Sequence, residues 1–391
     1  MNATFKAALF AGGIALLSAC NNETAGAPGS AAEGAGPGGA TVATASVAGM
    51  PEGPLRVADE SLVSLYKQLH ETPELSFKEA QTSALLASEM KSLGFAVTEG
   101  LGDVWVKDKA VRDHDEVRPG VGGYGLVAVY ENGPGPVVLV RTDMDALPVP
   151  EQTGFPFASK VNSQTWTGVD SPVMHACGHD VHMTVWVGTA RKLIAEKSKW
   201  KGTLVMIAQP AEEIGLGAEA MLADGLYSRF PKPDYNIALH VSAGAPAGTI
   251  SYSSGFALAN VDSVDIKVKG VGGHGAYPHT TVDPVLVGSH IVVALQSLVS
   301  RNTNPLDSAV VTVGSFKAGA KHNIIPDEAE LLITVRSYED KTRQMLLDGI
   351  KRIAEGQAAA FGAPAPEITV ESDYTPATYN DPDLTDRKSV V

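Results

Sequence analysis

The chain has 391 residues, enough for two domains with real cores. Apolar residues make up 44% and charged residues 19%, which fits a soluble globular protein and excludes a disordered one. With a net charge of −14 and no basic stripe, nucleic-acid binding is excluded as well.

The N-terminus reads as a targeting segment. Lys6 precedes an apolar stretch at 7–17 that is too short to span a bilayer. Leu17-Ser18-Ala19-Cys20 then resembles a bacterial lipoprotein signal, with Cys20 as the lipidated residue. This predicts a signal peptide over 1–20, an exported protein, and lipid anchorage on the periplasmic side of the cell envelope. Residues 21–52 are dominated by Gly, Ala, Ser, Thr and Pro and are expected to form a flexible tether. If Cys20 is lipidated, Cys177 is the one remaining thiol, and no intramolecular disulfide is possible.

Leu62, Leu65, Tyr66 and Leu69 recur at helical spacing, and a second helix is expected over 78–93. Residues 106–123 carry many charges and glycines and read as a surface excursion. Strand-like runs follow at 126–130, 137–140, 203–208 and 236–239, with a helix at 181–196. Alternating strands and helices predict a largely parallel or mixed α/β sheet covered on both faces. From about Ser251 the character changes. Strands at 264–268, 309–316, 329–336 and 367–370 alternate with helices at 284–299 and around Met345, Leu346, Ile350 and Ile353. That order, β-α-β-β-α-β, is a ferredoxin-like unit. The expected organisation is a first domain over 53–250, an inserted α+β domain over 251–370, and a return to the first domain over 371–391.

The chemistry is concentrated at strand ends, where α/β enzymes build their sites. His175-Ala176-Cys177-Gly178-His179-Asp180 places a thiol and imidazoles within six residues, and His182 follows. Cys177 and His179, two apart, are expected to face one side of an extended segment. Asp180 is a candidate to hold a histidine ring in its metal-binding tautomer. Glu212 and Glu213 are adjacent after 203–208, so one can bind metal while its neighbour acts as a base. His240 ends the next strand, and Asp143 and Asp145 follow 137–140. Asp143 can bind metal or orient a ligand. These groups together read as a transition-metal hydrolase centre. In the inserted domain, Gly272-Gly273-His274 forms a Gly-rich turn, and Asn323 and Arg336 sit beside apolar strands. An Arg on a strand is either a carboxylate anchor or a surface residue.

Six motifs carry a resemblance: His70-Glu71-Thr72-Pro73-Glu74-Leu75-Ser76, Asp143-Met144-Asp145-Ala146-Leu147-Pro148, Met174 to Asp180, Gln209-Pro210-Ala211-Glu212-Glu213, Leu239-His240, and Gly273-His274-Gly275-Ala276-Tyr277-Pro278-His279. The chain resembles the M20 metallopeptidase family, and within it the amidohydrolase branch of hippurate hydrolases, N-acyl-amino-acid amidohydrolases and auxin-conjugate hydrolases. The resemblance implies a zinc-peptidase-like catalytic domain with an inserted lid or dimerisation domain. It implies two divalent metal ions, zinc or manganese with cobalt possible. Cys177, His179, Glu213 and His240 would be ligands, with Cys177 bridging, and Asp143 and Asp180 would support them. Glu212 would be the general base toward a metal-bound water. His274 would act on the oxyanion, across the interface of a homodimer, and Asn323 and Arg336 would hold the substrate. The expected reaction is amide cleavage of N-acyl-amino acids. A dipeptidase or carboxypeptidase acting on short peptides, or an inactive surface binding protein, are the rivals. The resemblance also implies that the catalytic domain continues past Pro382 with a further His ligand, so that a C-terminal truncation is expected.

Overall fold

The computed structural model describes the backbone of Ala43–Ser46 and residues 59–246, 248–371 and 374–386. Cys20, the signal segment and most of the tether lie outside the described residues. Within the tether, Ala43–Ser46 is a strand, paired antiparallel with Thr249–Tyr252. A strand edge offers unpaired N–H and C=O groups, which an extended segment of small residues can satisfy without a core of its own.

A five-stranded sheet forms the centre of the first part, in the order Ala96–Leu101, Gly125–Glu131, Thr203–Gln209, Val137–Asp143, Tyr235–Ala238. The first two pairings are antiparallel and the last two parallel, so the sheet is mixed. Thr203–Gln209 lies in the middle and is buried on both faces. Leu204, Met206 and Ala208 pack with Leu65, Leu69, Leu86, Met90, Met183 and Trp186, from the helices Glu60–Glu71, Ala80–Ser92 and His179–Ala195. Val205 and Ile207 point the other way, onto Leu139, Met221 and Leu226. This period-two division is why the strand reads as a continuous apolar run. Register then fixes the site: Asp143 lies opposite Gln209, and Arg141 opposite Ala238. Three parallel strands therefore end together, each leading into one of the motif loops.

Residues 103–114 are a helix, Asp103–His114, not the surface excursion expected over 106–123. Val106, Lys109 and Ala110 fall on one face and are buried, and Val106 and Ala110 pack with Phe77, Ala211 and Ala220. Three inward residues among the charges are enough to hold it.

A second, four-stranded antiparallel sheet runs in the order Ala309–Ala318, Glu328–Ser337, Asp262–Lys269, Glu367–Val370. Helices Pro284–Ser297 and Asp340–Ala360 contribute Val287, Ile291, Leu295, Leu346 and Ile350 to one core with Val264, Ile266 and Val268. Asp265 and Lys267 alternate with those three strand residues and so face away from that core. After Val370, Thr378–Asn380 pairs with Gly255–Leu258, and Thr375 lies against Gly215.

Candidate metal centre

Cys177 sits in the turn that opens helix His179–Ala195, and His179 is the first helical residue. The two therefore approach the centre from a turn and a helix rather than from one extended segment. Gly178, with φ of +81°, joins them; a Cβ there would meet Val241 Cγ2 at 2.5 Å. Only glycine lets the turn come this close to the end of the neighbouring strand. As a result Cys177 Sγ lies 3.3 Å from His240 Nε2.

The His179 ring is fully buried. Its Nδ1 donates to the Asp145 carbonyl at 2.7 Å, which leaves Nε2 bare. That nitrogen lies 3.7 Å from both Glu212 Oε2 and Glu213 Oε1, and 3.8 Å from Asp143 Oδ2. Asp180 does not set this tautomer; the histidine ring it holds is that of His70. One step along the helix its carboxylate points elsewhere, onto His70 Nδ1 at 2.6 Å. Asp143 is bonded to His182 Nδ1 at 2.7 Å and ion-paired with Arg141 at 3.1 Å. The Val241 N–H donates to His182 Nε2 at 2.9 Å, so the ring's proton must sit on Nδ1 and point at Asp143. His182 thus ties the end of strand Val137–Asp143 to the residue next to His240.

Asp145 holds the carboxylate pair. Its Oδ1 accepts from Glu212 N–H and its Oδ2 from Glu213 N–H, each at 3.0 Å, and Ser76 Oγ donates at 2.6 Å. Glu79, wholly buried, accepts the Ala211 N–H at 2.7 Å. Sequence reasoning missed Glu79, because a Glu ahead of a helix ordinarily reads as a solvated cap. It also missed Glu151, which bonds His70 Nε2 at 2.9 Å.

The donor set fits a divalent cation. Cys177, His179 and His240 offer ligand atoms within 4.8 Å of one another, and so do His179, Glu212 and Glu213. His179 Nε2 and Glu213 Oε1 are buried, face each other, and have no hydrogen-bond partner. Two orphaned groups of this kind are what a bound cation satisfies. Electrostatics agree. The neighbouring His179 and then His240 lower the Cys177 thiol to about 6. Burial, and then the Cys177 charge, raises Glu213 to about 8. The bond to Cys177 raises His240 to about 9. Without a cation the cluster holds protons that a metal would displace.

The remaining candidates lie beyond Ser251, in a separate two-stranded ladder and in the second sheet. His274 is exposed, in the two-residue strand Gly273–His274 opposite Ile324–Ile325. Gly275 N–H donates to the Asn323 carbonyl at 2.9 Å, so His274 and Asn323 are neighbours, and Asn323 Oδ1 is buried without a partner. Arg336 lies on the sheet face turned from the helices, between buried Val335 and Ser337. Among the described residues, none of the three hydrogen-bonds to the Cys177 cluster.

Residues 139–389 match the model of Peptidase family M20/M25/M40. The N-acetylcysteine deacetylase of Bacillus subtilis (strain 168) is 36% identical over 322 residues, 82% of this chain and 76% of that protein. The hippurate hydrolase of Campylobacter jejuni is 36% identical over 326 residues, 83% of this chain and 76% of that protein. A solved Bacillus subtilis structure, described as a dinuclear metal-binding peptidase of the M20 family, superposes with a TM-score of 0.65 at 32% identity, covering 83% of this chain and 76% of that one. The mixed α/β fold, the donor cluster and these likenesses agree: the chain belongs to peptidase family M20/M25/M40 and is a hydrolytic enzyme of its metal-dependent amidohydrolase kind.

Proposed function

We propose that the protein hydrolyses the amide bond of N-acyl-amino acids, with Glu212 as general base. The observation that carries this is the unequal exposure of two adjacent carboxylates. The Glu213 side chain is 11% exposed, and the Glu212 side chain 35%. The buried one suits a ligand, and the open one can reach a water and a substrate.

Cys177, His179, Glu213 and His240 would hold two divalent ions, zinc or manganese. Such ions polarise a scissile carbonyl and lower the pKa of an attacking water toward neutrality. Glu212 takes a proton from the attacking water as its oxygen adds to the acyl carbon, and passes that proton to the amine nitrogen as the C–N bond breaks. Arg141 and His182 fix Asp143, and Asp145 fixes the turn, so the base need not reorganise during the reaction. His274 and Asn323 supply donors to the developing oxyanion, and the Arg336 fork pairs with the substrate carboxylate.

The second sheet is assigned as the lid and dimerisation domain. Among the described residues, strand Ala309–Ala318 is an edge, paired on one side only. Next to it, helix Pro284–Ser297 turns Leu286 and Val293 outward, and Val293 is 73% exposed. A two-fold axis would pair both features with themselves, which is the simplest way to cover them, and this favours a homodimer. In that dimer His274 reaches the partner's centre. The N-terminal segment favours export to the cell envelope, with anchorage through Cys20.

The test is to strip metal, restore zinc or manganese, and assay N-acetyl- and N-benzoyl-amino acids beside dipeptides. Metal-dependent amino-acid release from the acylated substrates is expected. Cleavage of dipeptides alone would point to the carboxypeptidase reading, and binding without cleavage to an inactive binding protein.

A further inference from the structure

We propose that Glu79 is a positioning residue of this centre: its buried carboxyl holds Ala211 in the left-handed turn that aims Glu212 and Glu213 in different directions. The inference rests on the hydrolase reading above. Ala211 has φ of +48°, a region that a residue with a Cβ seldom adopts unless its surroundings fix it. Its N–H donates to Glu79 Oε1 at 2.7 Å, and its carbonyl accepts from Leu216 N at 3.3 Å and Gly217 N at 3.1 Å. Both polar groups of the strained residue are therefore held. The far side of the turn is equally closed, since a Cβ on Gly217 would lie 1.5 Å from the Pro210 carbonyl oxygen.

The three successive amides of Ala211, Glu212 and Glu213 point at two carboxyl groups, Glu79 and Asp145. Such a concavity of N–H groups forms where the backbone changes hand, and it favours an anionic or acidic acceptor. Asp145 alone would leave the Ala211 amide unpaired in the core. Glu79 does not earn its place as a helix cap: it precedes Ala80–Ser92 but makes no side-chain cap bond. Its Oε2 has no partner, and a buried polar group of that kind is unfavourable on its own account. What it does hold is the one peptide that sets where the Glu212 Cα sits. If that peptide relaxes, the base and the ligand rotate together, and the exposures of 35% and 11% are no longer divided between them.

The experiment compares Glu79→Gln, which keeps a carbonyl acceptor, with Glu79→Leu, which has none, and Glu79→Asp, which draws the acceptor back by one methylene. Each is checked for folding by its thermal midpoint. Metal affinity is measured by chelator competition, and kcat and KM on an N-acyl-amino acid. For Leu and Asp, kcat is expected to fall on the order of 100-fold with KM little changed. Metal affinity is expected to weaken by about 10–100-fold, as when other supporting partners of ligands are removed. Gln is expected to restore both. A folded Leu variant with unchanged kcat and metal affinity overturns the proposal, as does a Gln variant as impaired as Leu. If Leu fails to fold, Asp decides: an Asp variant matching the native protein overturns it. If the native protein hydrolyses no amide, the hydrolase reading fails separately, and metal affinity still reports on the turn.

Discussion

Burial pushes Glu212 above the usual carboxylate range, with Asp143 and Asp145 adding to the shift and His179 and Arg141 opposing it. A general base works only when ionised, so activity should be lost as falling pH protonates Glu212. The acid limb of kcat/KM should vanish with Glu212→Gln. That variant should lose about 10²–10⁴-fold in kcat while keeping its metal, because no ligand is removed. Glu213→Gln should lose metal instead. The reverse pattern, read by metal analysis, would exchange the two roles. Metal uptake carries its own pH signature. Glu213 at about 8 and His240 at about 9 must give up protons when a cation binds. Affinity should therefore rise with pH, and calorimetry in buffers of different ionisation enthalpy should show proton release that shrinks as pH rises through about 8 and 9.

Elements meet at this site through close approaches that single atoms control. Gly178→Ala would place a Cβ 2.5 Å from Val241 Cγ2, at a positive φ that alanine rarely adopts. The turn and the strand end should separate, carrying Cys177 from His240. Weaker metal binding with little loss of thermal stability is the expected result; native metal affinity would show that the approach is not needed. In the second sheet, Asp262 is buried and clamped by Arg343 at 2.6 Å. Asp262→Ala removes that clamp while the part-buried guanidinium keeps its stack on Tyr374, and should destabilise the fold by about 1.5–3 kcal/mol, measurable by denaturant titration. Helix Asp103–His114 shows how an element escapes a reading of composition. Its charges dominate the sequence, but Val106, Lys109 and Ala110 settle its place in the core.

At the scale of the whole molecule, the proposed homodimer would cover the outward face of helix Pro284–Ser297 and the edge strand Ala309–Ala318. Val293→Glu should convert a dimer to a monomer in sedimentation. If His274 serves the partner's centre, the same change should lower kcat without removing metal. A monomeric native protein with full turnover would remove both claims. Separately, Cys20→Ser should release the protein from the membrane fraction, and retention there would count against lipid anchorage.

The sequence by itself determined the alternation of strands and helices, the donor types that gather at the centre, and the place of Glu212, Glu213 and His240 after strands. These follow from local periodicity and from the chemistry of Cys, His and paired Glu, which a linear reading preserves. The strands at 203–208 and 236–239 and the helix at 284–299 were legible because their apolar pattern is strong. What only the tertiary structure decided is who holds whom. Asp180 serves His70 rather than His179, because a helix turns adjacent side chains apart. Glu79 reaches Ala211 across 132 positions, and Asp143 meets His182 across 39. Partners that distant leave no spacing in the sequence. They meet because parallel strands in register end at one edge, and the packing of the helices over that edge decides which buried carboxyl faces which amide.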